Sequence, residues 1–501
     1  MCNSICAFLA TSCTYYEHSD KFGRLLSHQL KQIQASHTIS EIHTTHGTVS
    51  NQPTVHVSPS EIHTFLDQLE IPKITCEDRS RLDLGISCED ITQAINSMQN
   101  GKSPGPDGFP IEFYKVFSAK LTPLLNKVFE EILSQRKLPC TMTQAVIVVL
   151  LKKDKDPRKC GAYRPINLLP CDYKILSKVL SCRLDSVIPK IIDLDQTGFI
   201  PGRQSFFNLR RLFNILCSSH STVQPEIVIS LDAKKAFDWV EWEYLFEVLE
   251  RFGFGPVRIA CSWAPHLTPI LTPHKYYFPL HRGTRQGCCL SPFLFDLAIE
   301  PLAIALRKEE RITGVTRFNK THKVSLYADD LLIYLSNPLE SIPVLMELLR
   351  SYSLTSGYKL NVSKSTILQV NQLAMSLDPS SFPFKQVVEF NYLGINVPHS
   401  YKGLYARNFK ILLERTKNDF SQWFSLPISL AGRVNTIKMV VLPRFLYLFQ
   451  MIPIFLPKSV FKELGSLISS FVWNKSVLRM RNIFLEMPKA AGGMGLPNFM
   501  Y

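Results

Sequence analysis

The sequence predicts an α+β fold built around a small β-sheet. Two runs rich in β-branched residues, AVIVVLLKK at 145–153 and EIVISLDA at 226–233, have the composition of strands. A third segment, KVSLYADDLLIYLS at 323–336, carries two apolar runs on either side of a two-residue turn, which predicts a β-hairpin. Segments with helical spacing alternate with these runs, so we expect strands and helices to share one core.

The two ends of the chain differ from this central part. Residues 1–88 are polar and weakly periodic, which predicts a partly disordered N-terminal extension. The segment EYLFEVLERFGF has helical spacing and predicts a helix that ends at Gly253. From residue 402 onward helical spacing dominates. The basic residues predicted on the polar side of these helices are Arg407, Lys410, Arg415, Lys417, Arg433 and Lys438.

Length and charge limit the possible classes of protein. The chain has 501 residues, of which 46% are hydrophobic, so it can bury a sizeable core in roughly three domains. Its formal net charge is +14 and its isoelectric point is about 9.1. A basic surplus of this size favours nucleic acid or an acidic membrane face as partner. A basic protein with no polyanionic partner remains the alternative on charge alone.

The cysteines and the apolar tracts indicate neither secretion nor a membrane anchor. Thirteen cysteines are scattered without zinc or disulfide spacing, which predicts reduced thiols in an intracellular protein of the nucleus or the cytoplasm. The most apolar tract, residues 445–456, is shorter than the ~20 residues that span a bilayer. Pro443, Pro453 and Pro457 interrupt or flank it, so we expect a buried or amphipathic helix there.

Three aspartates lie where predicted strands end. Asp232 ends the run EIVISLD, and Asp329 and Asp330 occupy the turn of the predicted hairpin. Acids at the end of a buried sheet are costly unless a cation compensates them, and Mg²⁺ prefers oxygen ligands of this kind. The alternative is structural, since Asp-Asp is a common turn dipeptide and such a hairpin usually has no further role.

Several motifs in one order resemble reverse transcriptases, in particular those of non-LTR (long interspersed) retrotransposons. YADD at 327–330, LDAKKAFDWVEW at 231–242 and RGTRQGCCLSPFLF at 282–295 resemble the catalytic segments of the wider family. The resemblance to the non-LTR group is carried by SPGPDGFPIEFYK at 103–115, YRPINLLPCDYKILSKVLSCRL at 163–184, DQTGFIPGR at 195–203, GYKLNVSKS at 357–365, FNYLGI at 390–395 and GGMGLPNF at 492–499. It covers about residue 80 to the end.

The resemblance implies a catalytic centre with two Mg²⁺ ions, for which Mn²⁺ is an alternative. Asp232 and Asp329 would bind both ions, Asp330 would be a less direct ligand, and the backbone carbonyl of Ala233 would add an oxygen. Lys364 in LNVSKS matches the lysine that protonates the leaving pyrophosphate. A plain surface lysine remains the alternative for that residue.

The same resemblance implies sites for the nucleotide and for the primer. Phe237, five residues after Asp232, matches the aromatic residue that excludes a ribose 2′-hydroxyl. The other residues implied to contact the nucleotide are Lys152, Arg164, Gln286 and Gly287. The turn Tyr392, Leu393 and Gly394 resembles the primer grip. The partners implied are dNTPs, an RNA template, a DNA primer and their RNA–DNA duplex, with no membrane.

The implied architecture is a right-hand polymerase with fingers, palm and a mostly helical thumb. We expect the extension at 1–88, the fingers with an N-terminal reverse transcriptase extension at 89–225, the palm at 226–398, and a thumb truncated at its C-terminus at 399–501. The palm should be a small antiparallel sheet with the three acids at one edge.

The sequence also departs from the family pattern. Cys289 stands where proline is usual, and Trp239 stands where a basic or small polar residue is commoner. No segment resembles the endonuclease or the Cys/His knuckle of such elements. The alternative function is therefore a catalytically inactive, element-derived protein that binds RNA or RNA–DNA duplex.

Overall fold

The computed structural model of the protein describes most of the chain after residue 57. The described residues are 58–152, 155–159, 162–218, 221–234, 236–255, 268–271, 276–277, 282–285, 287–476 and 480–499. They form two compact units. The larger unit contains Ile39–Asn208 and Ser218–Val387, and the smaller unit contains Leu209–Cys217 and Val388–Tyr501. The predicted extension lies outside the described residues as far as residue 57.

The larger unit contains most of the secondary structure. Its strands are β1 (Gln144–Leu151), β2 (Tyr163–Leu168), β3 (Glu226–Leu231), β4 (Thr268–Leu271), β5 (Tyr276–Tyr277), β6 (Val315–Arg317), β7 (Lys320–His322), β8 (Val324–Tyr327), β9 (Asp330–Ser336), β10 (Thr366–Gln369) and β11 (Lys385–Val387). Its helices up to the unit boundary are α1 (Pro59–Asp67), α2 (Cys76–Leu82), α3 (Cys88–Ser97), α4 (Ile111–Val116), α5 (Ser118–Gln135), α6 (Cys140–Thr143), α7 (Cys171–Leu184), α8 (Ile188–Ile191) and α9 (Phe206–Cys217), the last of which contributes to both units. The remaining helices of this unit are α10 (Ala236–Trp239), α11 (Trp242–Arg251), α12 (Ser291–Lys308), α13 (Pro338–Ser356) and α14 (Gln372–Met375).

A five-stranded sheet with the order β11-β10-β3-β9-β8 forms the centre of this unit. Its central strands β3 and β9 are buried along nearly their whole length, which explains their continuous apolar sequences. Neighbouring strands are antiparallel except for β10 and β11, which are parallel. The predicted all-antiparallel sheet is therefore wrong at this edge, because α14 and a short 3₁₀ turn return the chain to the same end before β11 begins. The predicted α+β class is confirmed.

Helix α12 is the core helix of the larger unit. Phe293 to Leu306 are all buried, and the helix packs against α11, α13 and β8. Two buried tyrosine hydroxyls, those of Tyr244 and Tyr352, donate to the backbone carbonyl of Ala298 at 2.9 and 2.8 Å. Helix α11 ends just before Gly253, whose φ of +88° favours glycine, so the predicted helix end is confirmed.

A second sheet, with the order β2-β1-β4-β5, also belongs to the larger unit. Strands β1 and β2 pair antiparallel, and β1 pairs with β4 in parallel. The predicted strand at 145–153 is therefore confirmed as β1, which ends at Leu151.

The smaller unit combines a hairpin with a helical core. Its elements are β12 (Glu389–Tyr392), β13 (Ile395–Pro398), α15 (Ile411–Trp423), α16 (Leu430–Thr436), α17 (Leu442–Met451), α18 (Lys458–Val472) and α19 (Asn482–Glu486). Stacked rings of Phe420 and Phe471, with centroids 4.4 Å apart, lie in this core. The apolar tract at 445–456 forms much of α17, whose Phe445, Leu448 and Met451 are buried, so the predicted buried helix is confirmed.

One basic residue of this unit differs from the prediction. Arg433 is only 4% exposed, and its guanidinium donates to the carbonyls of Ile428 and Phe471 at 3.2 and 3.1 Å. Its predicted place on the polar face is therefore wrong, because the buried guanidinium donates to a carbonyl of the α15–α16 connection and to a carbonyl at the end of α18. Lys410, Arg415 and Lys417 are exposed as predicted. No helix in the described part of the chain is long and apolar enough to cross a membrane.

Candidate active site

The three predicted acids come together at one end of the five-stranded sheet. The register pairs Leu231 of β3 with Leu331 of β9, so the next residues outward, Asp232 and Asp330, lie side by side. Tyr327 pairs with Asp330, which leaves Ala328 and Asp329 as the two-residue turn of the predicted hairpin. The predicted hairpin is confirmed, but its predicted turn at Asp329 and Asp330 is wrong by one residue, because Asp330 pairs with Tyr327 as the first residue of β9. The three acids nevertheless lie at the same end of the sheet.

The three carboxylates affect one another electrostatically. Burial raises the pKa of Asp330, and the charges of Asp329 and Asp232 raise it further, to about 6. Burial also raises the pKa of Asp329, and the charge of Asp232 adds to that rise. The structure thus gathers negative charge that a cation would stabilise.

The donor atoms at this end of the sheet fit a hard divalent ion. All three side chains offer carboxylate oxygens, and Mg²⁺ binds proteins through one or two carboxylates, completed by water and phosphate oxygens. Ala233 and Leu360 form an isolated antiparallel bridge. The two hydrogen bonds of this bridge involve the Asp232 carbonyl and the Lys234 amide, so neither of them uses the Ala233 carbonyl. Within the described residues, no three His, Cys, Asp or Glu side chains converge closely enough to hold a metal alone.

A turn after α13 holds Asp232 in place. The side-chain amide of Asn361 donates to Asp232 Oδ2 at 2.8 Å, and the Asp232 amide donates to Ser365 Oγ at 3.1 Å. Lys364 Nζ lies 3.9 Å from the same Oδ2, with 71% of the lysine side chain exposed. Sequence reasoning predicted Lys364 but missed Asn361 and Ser365, although both lie in the quoted LNVSKS motif.

The turn with Asp329 is braced by the DQTGF segment. Gln196 is fully buried, and its Oε1 accepts hydrogen bonds from the amides of Gly198 at 2.8 Å and Ala328 at 3.0 Å. Ala328 has a left-handed φ of +52°, so its amide is fixed in an unusual orientation. A Cβ on Gly198 would lie 2.3 Å from the Ala328 nitrogen, so only glycine allows this approach.

Strand β8 is tied to the same segment by backbone bonds. The Thr197 amide donates to the Leu326 carbonyl at 2.9 Å, and the Leu326 amide donates to the Asp195 carbonyl at 2.9 Å. The buried side-chain amide of Asn208 donates to the Leu326 carbonyl at 2.7 Å. We call Asp195–Gly198 with Asn208 the turn brace. Sequence reasoning identified DQTGF as a motif but not its contact with the acids.

Comparisons with known proteins agree with this geometry. Residues 150–397 match the family described as reverse transcriptase (RNA-dependent DNA polymerase). Residues 150–397 belong to the reverse transcriptase family. The resemblance to non-LTR retrotransposon proteins is confirmed by its relatives.

Three such relatives cover most of this chain. It is 32% identical over 403 residues to the transposon TX1 uncharacterized 149 kDa protein of Xenopus laevis, which covers 78% of this chain. It is 25% identical over 383 residues to the retrovirus-related Pol polyprotein from type-1 retrotransposable element R2 of Popillia japonica, a match that covers 72% of this chain. It is 24% identical over 422 residues to the retrovirus-related Pol polyprotein from type-2 retrotransposable element R2DM of Drosophila melanogaster, a match that covers 80% of this chain. The chain spans 30%, 51% and 38% of these relatives' lengths, respectively.

The predicted sugar-contacting residue lies close to the acids in sequence and packs into the core. Phe237 is in α10, and its ring stacks on Phe295 with centroids 4.3 Å apart. The Phe237 carbonyl accepts a hydrogen bond from the Thr284 amide at 2.7 Å. Phe295, which sequence reasoning missed, thus limits how far the Phe237 ring can move.

The two cationic residues predicted to contact the nucleotide share one face of the β1–β2 hairpin. Arg164 is exposed and pairs with Leu150, while the Lys152 amide donates to the Ala162 carbonyl at 2.8 Å. Lys152 follows Leu150 by two positions, and residues two apart on a strand point to the same face. The fold therefore places these two side chains as diagonal neighbours.

Two further predicted residues follow Arg285. Gln286 lies outside the described residues. Gly287 has a φ of +86°, and a Cβ there would lie 3.4 Å from the carbonyl oxygen of Asn167 in β2. The glycine thus permits the close approach of this loop to the β1–β2 sheet.

The predicted primer grip is the tight turn of the β12–β13 hairpin in the smaller unit. Tyr392 pairs with Ile395, and the two residues between them, Leu393 and Gly394, have φ values of +48° and +75°. Two successive positive φ values are typical of a tight hairpin turn. The Tyr447 hydroxyl donates a hydrogen bond to the Leu393 carbonyl, which fixes the turn against α17.

Proposed function

We propose that this chain is an RNA-directed DNA polymerase that extends a primer 3′-hydroxyl with dNTPs on an RNA template. The observation that carries the proposal is the gathering of Asp232, Asp329 and Asp330 at the end of β3 and β9, inside a chain of the reverse transcriptase family. Burial raises the pKa of Asp330, and the charges of Asp329 and Asp232 raise it further; a divalent cation would relieve that repulsion.

We further propose a right-hand arrangement for this polymerase. The sheet of β1 and β2 would belong to the fingers, within residues 89–225. The five-stranded sheet would form the palm, within residues 226–398, and the helices of residues 399–501 would form the thumb. The assignment is supported by the strands at the acids and by the helical composition of the smaller unit.

The acids would hold two Mg²⁺ ions, with Mn²⁺ as a substitute. Asp232 and Asp329 would contact both ions, Asp330 would contact them less directly, and the Ala233 carbonyl would supply another oxygen. Bound ions of this kind activate the primer hydroxyl and stabilise the charge of the leaving pyrophosphate. Asn361 and Ser365 orient Asp232 for this role, and the turn brace orients Asp329.

Other side chains would bind the nucleotide. Lys152 and Arg164 would contact the triphosphate from the β1–β2 hairpin, where the planar guanidinium suits a bidentate phosphate contact. The Phe237 ring, supported by Phe295, would lie under the sugar and exclude a 2′-hydroxyl. The Gln286–Gly287 loop would pack against the nucleotide and the template.

Lys364 would supply the proton that leaves with pyrophosphate. Its Nζ lies 3.9 Å from the Asp232 carboxylate, at the site of reaction, and its ammonium can donate a proton to a pyrophosphate oxygen. General acid catalysis of this kind contributes roughly 10²-fold or more.

Two parts of the smaller unit would bind the primer and its duplex with the template. The Tyr392–Gly394 turn would hold the primer end through its backbone. Lys410, Arg415 and Lys417, which are exposed, would contact duplex phosphates independently of sequence.

Primer extension tests this proposal. Purified protein is given an RNA template with an annealed DNA primer, dNTPs and Mg²⁺, beside the Asp329→Asn, Asp330→Asn double variant. Glu347→Gln, which removes an exposed carboxylate on α13, is the matched control. We expect the double variant to lose at least ~10³-fold in rate, about 4 kcal/mol of transition-state stabilisation, and the control to keep wild-type activity.

The opposite outcome favours the alternative function. If wild type and double variant both fail to extend any primer, yet both shift the duplex in a gel assay, the polymerase proposal is wrong. The chain would then be a catalytically inactive, element-derived protein that binds RNA or RNA–DNA duplex.

A further inference from the structure

Trp239 holds two cations on one indole ring. The Arg282 Cζ lies 3.7 Å from the ring centroid, and the Lys359 Nζ lies 3.8 Å from it. We call these three residues the Trp239 cation cluster. Two cationic groups this close to one centroid would clash on the same face, so they lie on opposite faces of the electron-rich ring, which restrains both long side chains.

The cluster lies close in the fold to the catalytic acids. The Lys234 amide donates to the Lys359 carbonyl at 2.8 Å, and the Asn361 amide donates to the Asp232 carbonyl at 2.8 Å. Lys359 is thus two residues from the asparagine that holds Asp232. Lys234 lies directly opposite Lys359 in this bridge and is exposed, so it adds a third positive charge.

The positive charge of the cluster exceeds the negative charge that contacts it. Glu241 Oε1 lies 3.4 Å from an Arg282 guanidinium nitrogen, a distance too long for a strong charge-assisted hydrogen bond. Lys359 is exposed, and Arg282 and Trp239 are half-buried. Among the ion pairs that the structure describes for this cluster, one carboxylate therefore faces two cations, and the exposed Lys359 keeps positive charge within reach of solvent.

We infer that the Trp239 cation cluster binds a phosphate group. A guanidinium and an ammonium provide complementary donors to phosphate oxygens, and the ring restrains both side chains before the ligand arrives. The inference rests on the proposed function, which supplies the phosphate. The phosphate would belong either to the nucleotide and its pyrophosphate product or to the backbone of the duplex.

Direct binding tests the inference without requiring catalysis. The full chain is titrated with inorganic pyrophosphate by calorimetry, and with a fluorescent RNA–DNA duplex by anisotropy at several salt concentrations. The variants are Trp239→Ala, Trp239→Phe and Lys359→Gln. Lys320→Gln, an exposed lysine on the β6–β7 hairpin, is the matched control.

We expect Trp239→Ala and Lys359→Gln each to lower the affinity for one of the two probes by about 5- to 10-fold. Trp239→Phe, which keeps an aromatic face, should recover most of the affinity, and Lys320→Gln should change neither probe. A loss confined to pyrophosphate assigns the site to the nucleotide. A loss confined to the duplex, with a salt dependence shallower by about one counterion, assigns it to the backbone.

Unchanged affinity for both probes in Lys359→Gln and Trp239→Ala would overturn the inference. Lys359 is exposed, so its variant decides the question even if Trp239→Ala does not fold. If these losses are seen while wild type extends no primer, the phosphate site stands and the polymerase proposal alone fails.

Discussion

The hydrogen bonds of Gln196 make a specific prediction about the catalytic turn. Gln196→Met keeps the approximate volume of this fully buried side chain but removes the oxygen that accepts from the Gly198 and Ala328 amides. Each buried amide left without an acceptor costs about 1–3 kcal/mol, so the total cost is roughly 2–6 kcal/mol. Because the turn can move to recover part of this cost, we expect the free energy of unfolding to fall by about 3 kcal/mol.

The same change should affect catalysis more than substrate binding. A turn that shifts by about 1 Å moves Asp329 away from its working position, and misplacement of that size costs roughly 10²-fold in rate. We expect kcat for primer extension to fall by about that factor, while the KM for dNTP stays within about twofold.

Two measurements check this prediction against a matched control. Urea unfolding gives the stability change, and steady-state primer extension gives kcat and KM. Gln369→Met is the control, because Gln369 is half-buried on β10 and donates one hydrogen bond, to the Ala374 carbonyl. A Gln196→Met protein with a wild-type kcat, or with stability within about 0.5 kcal/mol of wild type, would refute the reasoning.

Three further predictions concern the turn brace, the predicted sugar site and a buried carboxyl group. Gly198→Ala places a Cβ 2.3 Å from the Ala328 nitrogen, so we expect at least about 1–3 kcal/mol of destabilisation and a lower kcat. Gly465→Ala, at an open helical position, should change neither stability nor kcat in the same assays. Phe237→Ala should raise the incorporation of ribonucleotides relative to deoxynucleotides, measured as a ratio of kcat/KM values, and an unchanged ratio would remove Phe237 from the sugar site. Burial and the charge of Glu300 raise the pKa of Asp296 well above its usual value, so the folded state keeps a proton that the unfolded state loses. The free energy of unfolding should therefore fall as pH rises above about 4, by up to about 1.4 kcal/mol per pH unit, and it should fall less in Asp296→Asn. Equal pH slopes for wild type and Asp296→Asn in urea unfolding from pH 5 to pH 8 would contradict this.

Local sequence patterns predicted the parts of the fold that depend on neighbours in the chain. The β-branched run at 226–233 and the segment at 323–336 form strands as predicted, because period and composition determine such elements locally. The turn of the hairpin lies one residue earlier than predicted. The acids followed from these strands. The parallel edge strand β11 could not be predicted in this way, since its direction depends on the path of the chain between residues 370 and 384.

Contacts between distant segments were beyond local patterns. Gln196 and Ala328 are 132 positions apart, and nothing in DQTGF states that its glutamine accepts from the catalytic turn. Arg433 fitted the polar side of a helix by residue type, but its hydrogen bonds to the carbonyls of Ile428 and Phe471 keep it buried. The sequence analysis noted Trp239 as a departure from the family pattern. Its contacts with Arg282 and Lys359 could not be predicted, because these residues are distant in the chain.

The most direct test of the central claim is the single-turnover rate of one dNTP addition, measured with Asp232→Asn beside wild type at saturating dNTP and duplex. Asp232→Asn keeps the shape of the side chain that Asn361 holds and removes its charge. We expect a loss of at least ~10³-fold in rate with an unchanged Kd for the RNA–DNA duplex. A rate within about tenfold of wild type would contradict the assignment of Asp232, Asp329 and Asp330 as the catalytic centre.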